Sequence, residues 1–328
     1  MKRSDINQRR PKTQSGGWRY ICLILALLLL VACGPLPATR DATPQPAGLL
    51  AAVLQRGTLV VAVEEDYAPQ SELKPEATRE PDTRCASNQY TASQFTGFDV
   101  DVARGVASRL GVEPCFVTPR WSQVVGGSWD GVWDVSIGSM VITPERMKVL
   151  YFAQPYTSGS AVLFVHADNE TYTGPASLSG RRIGVCAGCA YEDYLRHSLE
   201  IPSQRIEFAI DDAVVVGYDT DTTALDALAL GDGVELDAVL TDPDTGRLAI
   251  EAGLPIKQLG GPLYHDFVAP AVDRSSVRDP LPLVRRLSEV VQEMHADGTL
   301  SALSLQYYGF DAAGVAATYD VSALEQFP

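Results

Sequence analysis

Hydrophobic and polar positions alternate along this chain in two distinct rhythms, and the rhythm changes from segment to segment. Leu59 to Val63 (LVVAV) is an unbroken apolar run, the pattern of a strand buried on both faces. Residues Val102, Ala103, Val106, Ala107 and Leu110 then recur at helical spacing, with Asp99 placed to cap the helix and Gly111 to end it. Cys115–Thr118 and Val135–Ser139 read as strands. Arg182–Val185 is a further strand, running into the turn Cys186-Ala187-Gly188-Cys189 and a helix from Tyr191. Ala238–Leu240 is a short strand ending at Thr241-Asp242. Leu283, Val284, Leu287, Val290, Val291 and Met294 form a last helical stripe before Gly298. Strands alternating with helices predict an α/β protein. About 280 residues of such units are too many for one simple core and predict two lobes. Ligands of such units sit at the carboxyl ends of strands, in the crevice between lobes.

The first 47 residues follow neither rhythm. Lys2, Arg3, Arg9, Arg10, Lys12 and Arg19 make a basic leader, followed by the apolar run Ile21–Ala32. That run is short for a transmembrane helix and reads as a secretion signal. It ends Leu30-Val31-Ala32-Cys33, a lipobox in which Cys33 is lipidated and becomes the new N-terminus. Residues 1–33 are therefore expected to be a lipoprotein signal, and 34–47, rich in Pro, Ala and Thr, an extended tether. The soluble body would lie outside the cytoplasm, held to the membrane by lipid.

Charge narrows the partners. The whole chain carries a formal −15; without residues 1–32, 20 basic residues face 40 acidic ones. A field of that sign argues against nucleic acid. Cys22 leaves with the signal, and the four remaining cysteines suggest two bridges in an oxidising compartment, Cys85–Cys115 and Cys186–Cys189. Connectivity stays open at this point, with a four-thiolate zinc site as the alternative. The C-x-x-C spacing of CAGC also matches redox proteins, but the chain supplies no thioredoxin-like unit around it. The histidines (His166, His197, His265, His295) are scattered, so no catalytic metal cluster and no cofactor is expected.

The most informative stretch is WDVSIGSMVITPERMKVLYFAQPY, from Trp133 to Tyr156. A strand runs into a polar turn at Ser139, and Thr-Pro-Glu-Arg then delivers Arg146, whose guanidinium can donate two parallel bonds to a carboxylate. Together with GTLVVAVEEDYAP at Gly57, TGFDVDVARGVASRLGV at Thr96, GRRIGVCAGCAYEDYL at Gly180, LALGDGVELDAVLTD at Leu228 and MHADGTLSALSLQYYGFD at Met294, it resembles the bacterial family 3 extracellular solute-binding proteins, the polar amino-acid receptors of ABC importers. The resemblance implies a type II periplasmic-binding-protein-like fold whose lobes are joined by two crossover strands. Lobe 1 would be residues 48–157 plus 267–328, and lobe 2 residues 160–265. It implies a monomer that closes on an amino acid or similar small solute and docks on a membrane permease.

By the same resemblance Arg146 takes the ligand carboxylate, helped by the backbone amides of Cys189 and Ala190. Asp242 and the Ser139 carbonyl take the ammonium, Tyr67 and Trp121 enclose the side chain, and Glu64 faces the ligand. Two positions depart from the family pattern: Val141 replaces a Ser or Thr, and Cys189 replaces a Thr. Losing a hydrogen bond to a charged group costs about 1.5–3 kcal/mol, which Glu64 could offset. Glu64 and Asp242 against Arg146 leave a formal −1 that favours a positively charged ligand. The alternative function is a cyclohexadienyl or arogenate dehydratase on the same fold, with Glu64 as general acid.

Overall fold

A computed structural model describes residues 48–324 of the chain, except Ser203. The expected leader 1–33 with Cys33, and the expected tether 34–47, lie outside the described residues. No helix among the described residues is long and apolar enough to cross a membrane.

Each lobe is built on one sheet. The six-stranded sheet has the order Tyr90–Thr91, Glu113–Val117, Thr58–Ala62, Val135–Ser136, Ala271–Asp273, Leu150–Phe152. Its centre is the apolar run expected at Leu59: all five residues of Thr58–Ala62 are buried, with parallel neighbours on both sides. Side chains of successive residues leave a strand on opposite faces. Leu59 and Val61 accordingly join one core cluster, whereas Val60 and Ala62 join a second with Trp129, Trp133 and Phe152. The helix Phe98–Leu110 covers the first face, and Gly111 ends it in the left-handed conformation (φ 70°). Helix Leu281–Ala296 packs beside it with all six residues of its apolar stripe buried.

The five-stranded sheet has the order Val214–Tyr218, Arg182–Cys186, Ala238–Thr241, Thr157–His166, Ile256–Val268. The first three run parallel; the last two are antiparallel and long. These two are the crossover strands. They pair from His166 and Ile256 at one end to Thr157 and Val268 at the other, with the register breaking between Leu259 and Tyr264. At Val268 the chain reaches the other lobe, bridging Val141. A small sheet of Asp66–Tyr67, Ser71–Leu73 and Phe95–Thr96 carries Tyr67 to the lobe boundary.

Two expectations change. The strand at Val135 ladders only through Ser136, because Ser139 turns into the left-handed region (φ 50°). Asp99 does not cap its helix. Gly97 occupies that position, and the fully buried Asp99 carboxylate instead accepts hydrogen bonds from Ser139 Oγ and Tyr156 OH, each at 2.8 Å. A buried carboxylate must find donors, and two hydroxyls across the sheet serve better than the helix amides.

Cys85 is bridged to Cys115 and Cys186 to Cys189. One bridge ends on the six-stranded sheet and the other on the five-stranded sheet, so the four sulfurs do not converge as zinc ligands would. The C-terminal segment folds back on the first lobe: Gln154 Nε2 donates to the carbonyls of Ala316 and Tyr319, both at 3.0 Å, and Tyr319 packs on Phe267.

Candidate functional site

Thr143 starts the turn that delivers Arg146: its hydroxyl accepts the Arg146 amide at 3.2 Å, and Pro144 occupies the first helical position. The Arg146 side chain then runs inward and is buried. Nη1 donates to the carbonyl of Val141 at 2.9 Å, and Nη2 crosses to the other lobe and donates to the carbonyl of Gly188 at 3.2 Å. Trp121 stacks beneath the guanidinium, 5.4 Å from ring centroid to Cζ, and its Nε1 donates to the same Gly188 carbonyl at 3.1 Å. Among the described residues no carboxylate lies within ion-pair distance of Arg146. Burial lowers its pKa, opposed by the negative field of Asp193, Tyr264, Asp266 and Tyr191.

The turn that meets Arg146 is shaped by its covalent bridge and by a glycine. Gly188 is left-handed (φ 77°), and a Cβ there would touch Trp121 Cδ1 at 3.6 Å. Its amide donates to Glu192 Oε2 at 2.7 Å, and the Cys189 amide closes the turn onto the Cys186 carbonyl at 3.3 Å. Cys189 is the N-cap of the helix Ala190–Leu195, and Ala190 is buried behind it. What this turn presents to Arg146 is therefore a carbonyl, while the Cys189 amide is engaged within the turn.

Asp242 follows the strand Ala238–Thr241 and N-caps the helix Pro243–Glu251. Its Oδ1 accepts from the amides of Asp244 (2.8 Å) and Thr245 (3.2 Å) and, across the lobe boundary, from Gln70 Nε2 (3.2 Å). Thr245 Oγ1 adds a bond to the Ala68 carbonyl at 3.1 Å. The two lobes thus touch on both sides of the crevice, at Gly188 and at Asp242. On the lobe 1 side Ser139 is locked by Asp99 and by Tyr156 OH, which accepts its amide at 3.1 Å.

Two cavities flank these contacts. One of about 330 Å³ is lined by Glu64, Trp121 and Tyr218 among others; the other, of about 280 Å³, by Tyr67, Gln70, Ser139, Val141, Tyr191, Asp242 and Asp266. The candidates read from the sequence are therefore divided. Glu64 and Trp121 face the first cavity and Tyr67, Ser139, Val141 and Asp242 the second, while Arg146, Cys189 and Ala190 line neither.

Acidity dominates the region. Burial, with Asp221, Asp99 and Asp66 nearby, pushes Glu64 up to about 8. Burial likewise raises Asp242 and Asp99 to about 7, and Asp221 and Asp266 to about 6. Asp221 is held by Thr241 Oγ1 at 2.6 Å. Asp221, Asp266, Gln70, Tyr191 and Tyr264 were not singled out from sequence. For Asp266 there was a signal: Tyr264, Asp266 and Val268 share the buried face of one strand, an acid at an inward position of an alternating run. Gln70 carried none.

The model of the bacterial extracellular solute-binding proteins, family 3, matches residues 80–310. The chain belongs to this family. Among its relatives, the L-cystine-binding protein TcyJ of Escherichia coli K12 is 29% identical over 265 residues, covering 80% of this chain and 87% of that one. The ABC transporter arginine-binding protein 1 of the same organism is 27% identical over 218 residues, covering 66% and 83%. Solved structures share the type II fold. A P235GK mutant of the arginine-binding protein from T. maritima superposes with a TM-score of 0.63 at 24% identity, covering 80% of this chain and 99% of that one. An ancestral amino acid-binding protein described as a precursor of cyclohexadienyl dehydratase gives 0.62 at 23%, covering 80% and 100%. The family match stops at Phe310, yet Asp311, Ala312 and Val315 beyond it help to line the second cavity.

Proposed function

We propose that this protein is the lipid-anchored, extracytoplasmic receptor of an ABC importer, closing its lobes on an amino acid and delivering it to a permease. The anchor would be Cys33, the lobes residues 48–157 plus 267–328 and 160–265, and the working form a monomer. The observation that carries the reading is Arg146: a buried guanidinium at the lobe boundary, hydrogen-bonded to two carbonyls and to no carboxylate among the described residues. Burying a full charge against neutral acceptors alone is costly, and a ligand carboxylate would supply the missing counter-charge. The names of the relatives, a cystine-binding and an arginine-binding protein, agree with an α-amino acid as ligand. In this reading the ligand's carboxylate displaces Gly188 from Arg146, its ammonium meets Asp242 and the Ser139 carbonyl, and Tyr67 and Trp121 flank its side chain. Glu64 faces it from the neighbouring cavity. Val141 contributes its backbone carbonyl to hold Arg146, and the Cys189–Ala190 turn moves with Gly188.

The test is calorimetric titration of the delipidated body with a panel of L-amino acids, beside Arg146→Lys. The wild type should bind at least one amino acid, and the lysine variant should bind it at least ten-fold more weakly, because a point charge replaces a planar fork. Unchanged binding in the variant would remove Arg146 from the site.

A second reading rests on Glu64. A carboxyl raised to about 8 is protonated at neutral pH and can act as a general acid. Incubation with prephenate and arogenate, followed by product absorbance, tests it; a receptor leaves both unchanged.

A further inference from the structure

The cavity beside Tyr67 is lined by four carboxylates, Asp242, Asp244, Asp266 and Asp311, and by no lysine or arginine. Three of the four have structural work. Asp242 caps the helix Pro243–Glu251. Asp244 is paired with Arg247 at 3.2 Å. Asp311 accepts the amides of Ala313 and Gly314, both at 3.0 Å.

Asp266 caps no helix and makes no ion pair among the described residues; its carboxyl takes a backbone hydrogen bond from Gly159. It is only 4% exposed, it sits on a crossover strand, and its Oδ1 is buried with no hydrogen-bond partner. Two residues earlier on the same strand face, the Tyr264 hydroxyl is buried and unpartnered as well. An orphaned buried acceptor is costly to keep, the more so when charged. The fold makes room for it. Opposite Asp266 in the ladder stands Gly159, where a Cβ would lie 2.6 Å from Oδ1, so a glycine is what lets the carboxylate occupy this position.

Arg146 is the positive charge that acts on the Asp266 carboxyl, and the two form no ion pair. This inference rests on the receptor reading given above, in which Arg146 is taken by the ligand's carboxylate and Asp242 by its α-ammonium. A zwitterion satisfies those two and leaves Asp266 without a counter-charge. We infer that Asp266 is a third attachment point, recognising a second cationic group at the distal end of the ligand, with Gly159 as its positioning partner. That group is a guanidinium or ammonium, carried either by a basic side chain or by the far end of a double-headed amino acid.

The experiment titrates the wild-type protein with L-arginine, L-citrulline, L-glutamate and L-cystine, and repeats the series with Asp266→Asn and Gly159→Ala. Citrulline has nearly the shape of arginine but is neutral at the distal end. The wild type should bind arginine at least ten-fold more tightly than citrulline, or bind cystine in preference to both. In Asp266→Asn the favoured ligand should lose at least ten-fold while citrulline changes by less than three-fold. Gly159→Ala should reproduce the loss without altering any charge, which guards against a folding defect specific to the asparagine variant. An arginine preference assigns the second cation to a basic side chain, and a cystine preference to a second α-ammonium. Equal binding of arginine and citrulline without cystine binding, a preference for glutamate, or an Asp266→Asn variant that keeps the wild-type profile would overturn the inference and leave the receptor standing. If none of the four binds the wild type, the receptor reading for these amino acids falls and this inference falls with it.

Discussion

Arg146 of one lobe donates to the carbonyl of Gly188 in the other at 3.2 Å, in the same place where Trp121 donates its indole N–H. One carbonyl thus serves two donors across the crevice, and a ligand carboxylate with two oxygens would be the better acceptor for that pair. In the proposed receptor, closure and recognition would share this atom.

Asp242 caps a helix and, in the proposed receptor, also holds the ligand's ammonium, two roles that substitution can separate. Asparagine caps helices about as well as aspartate, whereas alanine at an N-cap costs about 1 kcal/mol. Asp242→Asn should therefore keep the melting temperature within about 2 °C while weakening amino-acid binding ten-fold or more, since a hydrogen bond to a charged group is worth about 1.5–3 kcal/mol. Asp242→Ala should lose both affinity and stability. Calorimetry beside thermal melts of the two variants distinguishes the roles.

Stability should fall as pH rises from about 5 to 8. Glu64, Asp99, Asp242, Asp221 and Asp266 all have folded pKa values above the ordinary carboxylate range. In that window the folded chain holds more protons than the unfolded one, so deprotonation favours unfolding. His295, whose pKa burial lowers, works in the opposite direction but is one group against five. A cationic ligand favours the ionised carboxylates, so its stabilising effect should grow from pH 5 to pH 8. Urea melts at three pH values, with and without L-arginine, measure both slopes; a ligand effect that shrinks with pH would contradict the assignment of these groups to the site.

The two disulfides should differ in what they hold. Cys85–Cys115 closes a separation of 30 residues and Cys186–Cys189 one of 3. On the chain-entropy account their removal costs about 3–4 and about 2 kcal/mol respectively. Paired cysteine-to-alanine variants should therefore show the larger loss of stability for Cys85/Cys115. The larger loss of ligand affinity should fall on Cys186/Cys189, whose turn carries Gly188. Denaturant melts and calorimetry on both variants give the comparison.

Ending the chain after Phe310 removes the segment that lies beyond the family match. It deletes the Tyr319–Phe267 contact and the buried Leu324, and it frees Gln154 from two carbonyls. The aromatic pair is worth about 0.5–1.5 kcal/mol and the leucine about 1.5–3, so a loss of about 2–4 kcal/mol is expected in urea melts. Asp311, Ala312 and Val315 also wall the Tyr67 cavity, so the truncated protein should discriminate less sharply between amino acids of different size.

Local pattern was enough for the elements. The run Leu59–Val63, the stripe Val102–Leu110 and the stripe Leu283–Met294 each bury the residues their spacing indicates, because periodicity records which face a segment must hide. The turn at Thr143 and the arginine it delivers were equally plain, since capping chemistry acts within four residues. Contacts made across the crevice were not legible. Gln70 meets Asp242 over a separation of 172 residues, and Asp99 looked like a helix cap until Ser139 and Tyr156 arrived beside it. Sequence thus determined a two-lobed α/β fold with a turn that carries an arginine. Tertiary packing decided which carboxylates lost their solvent, which of them found donors, and that Asp266 found none for its Oδ1. Desolvation depends on everything packed around a group, and no window along the chain contains those neighbours.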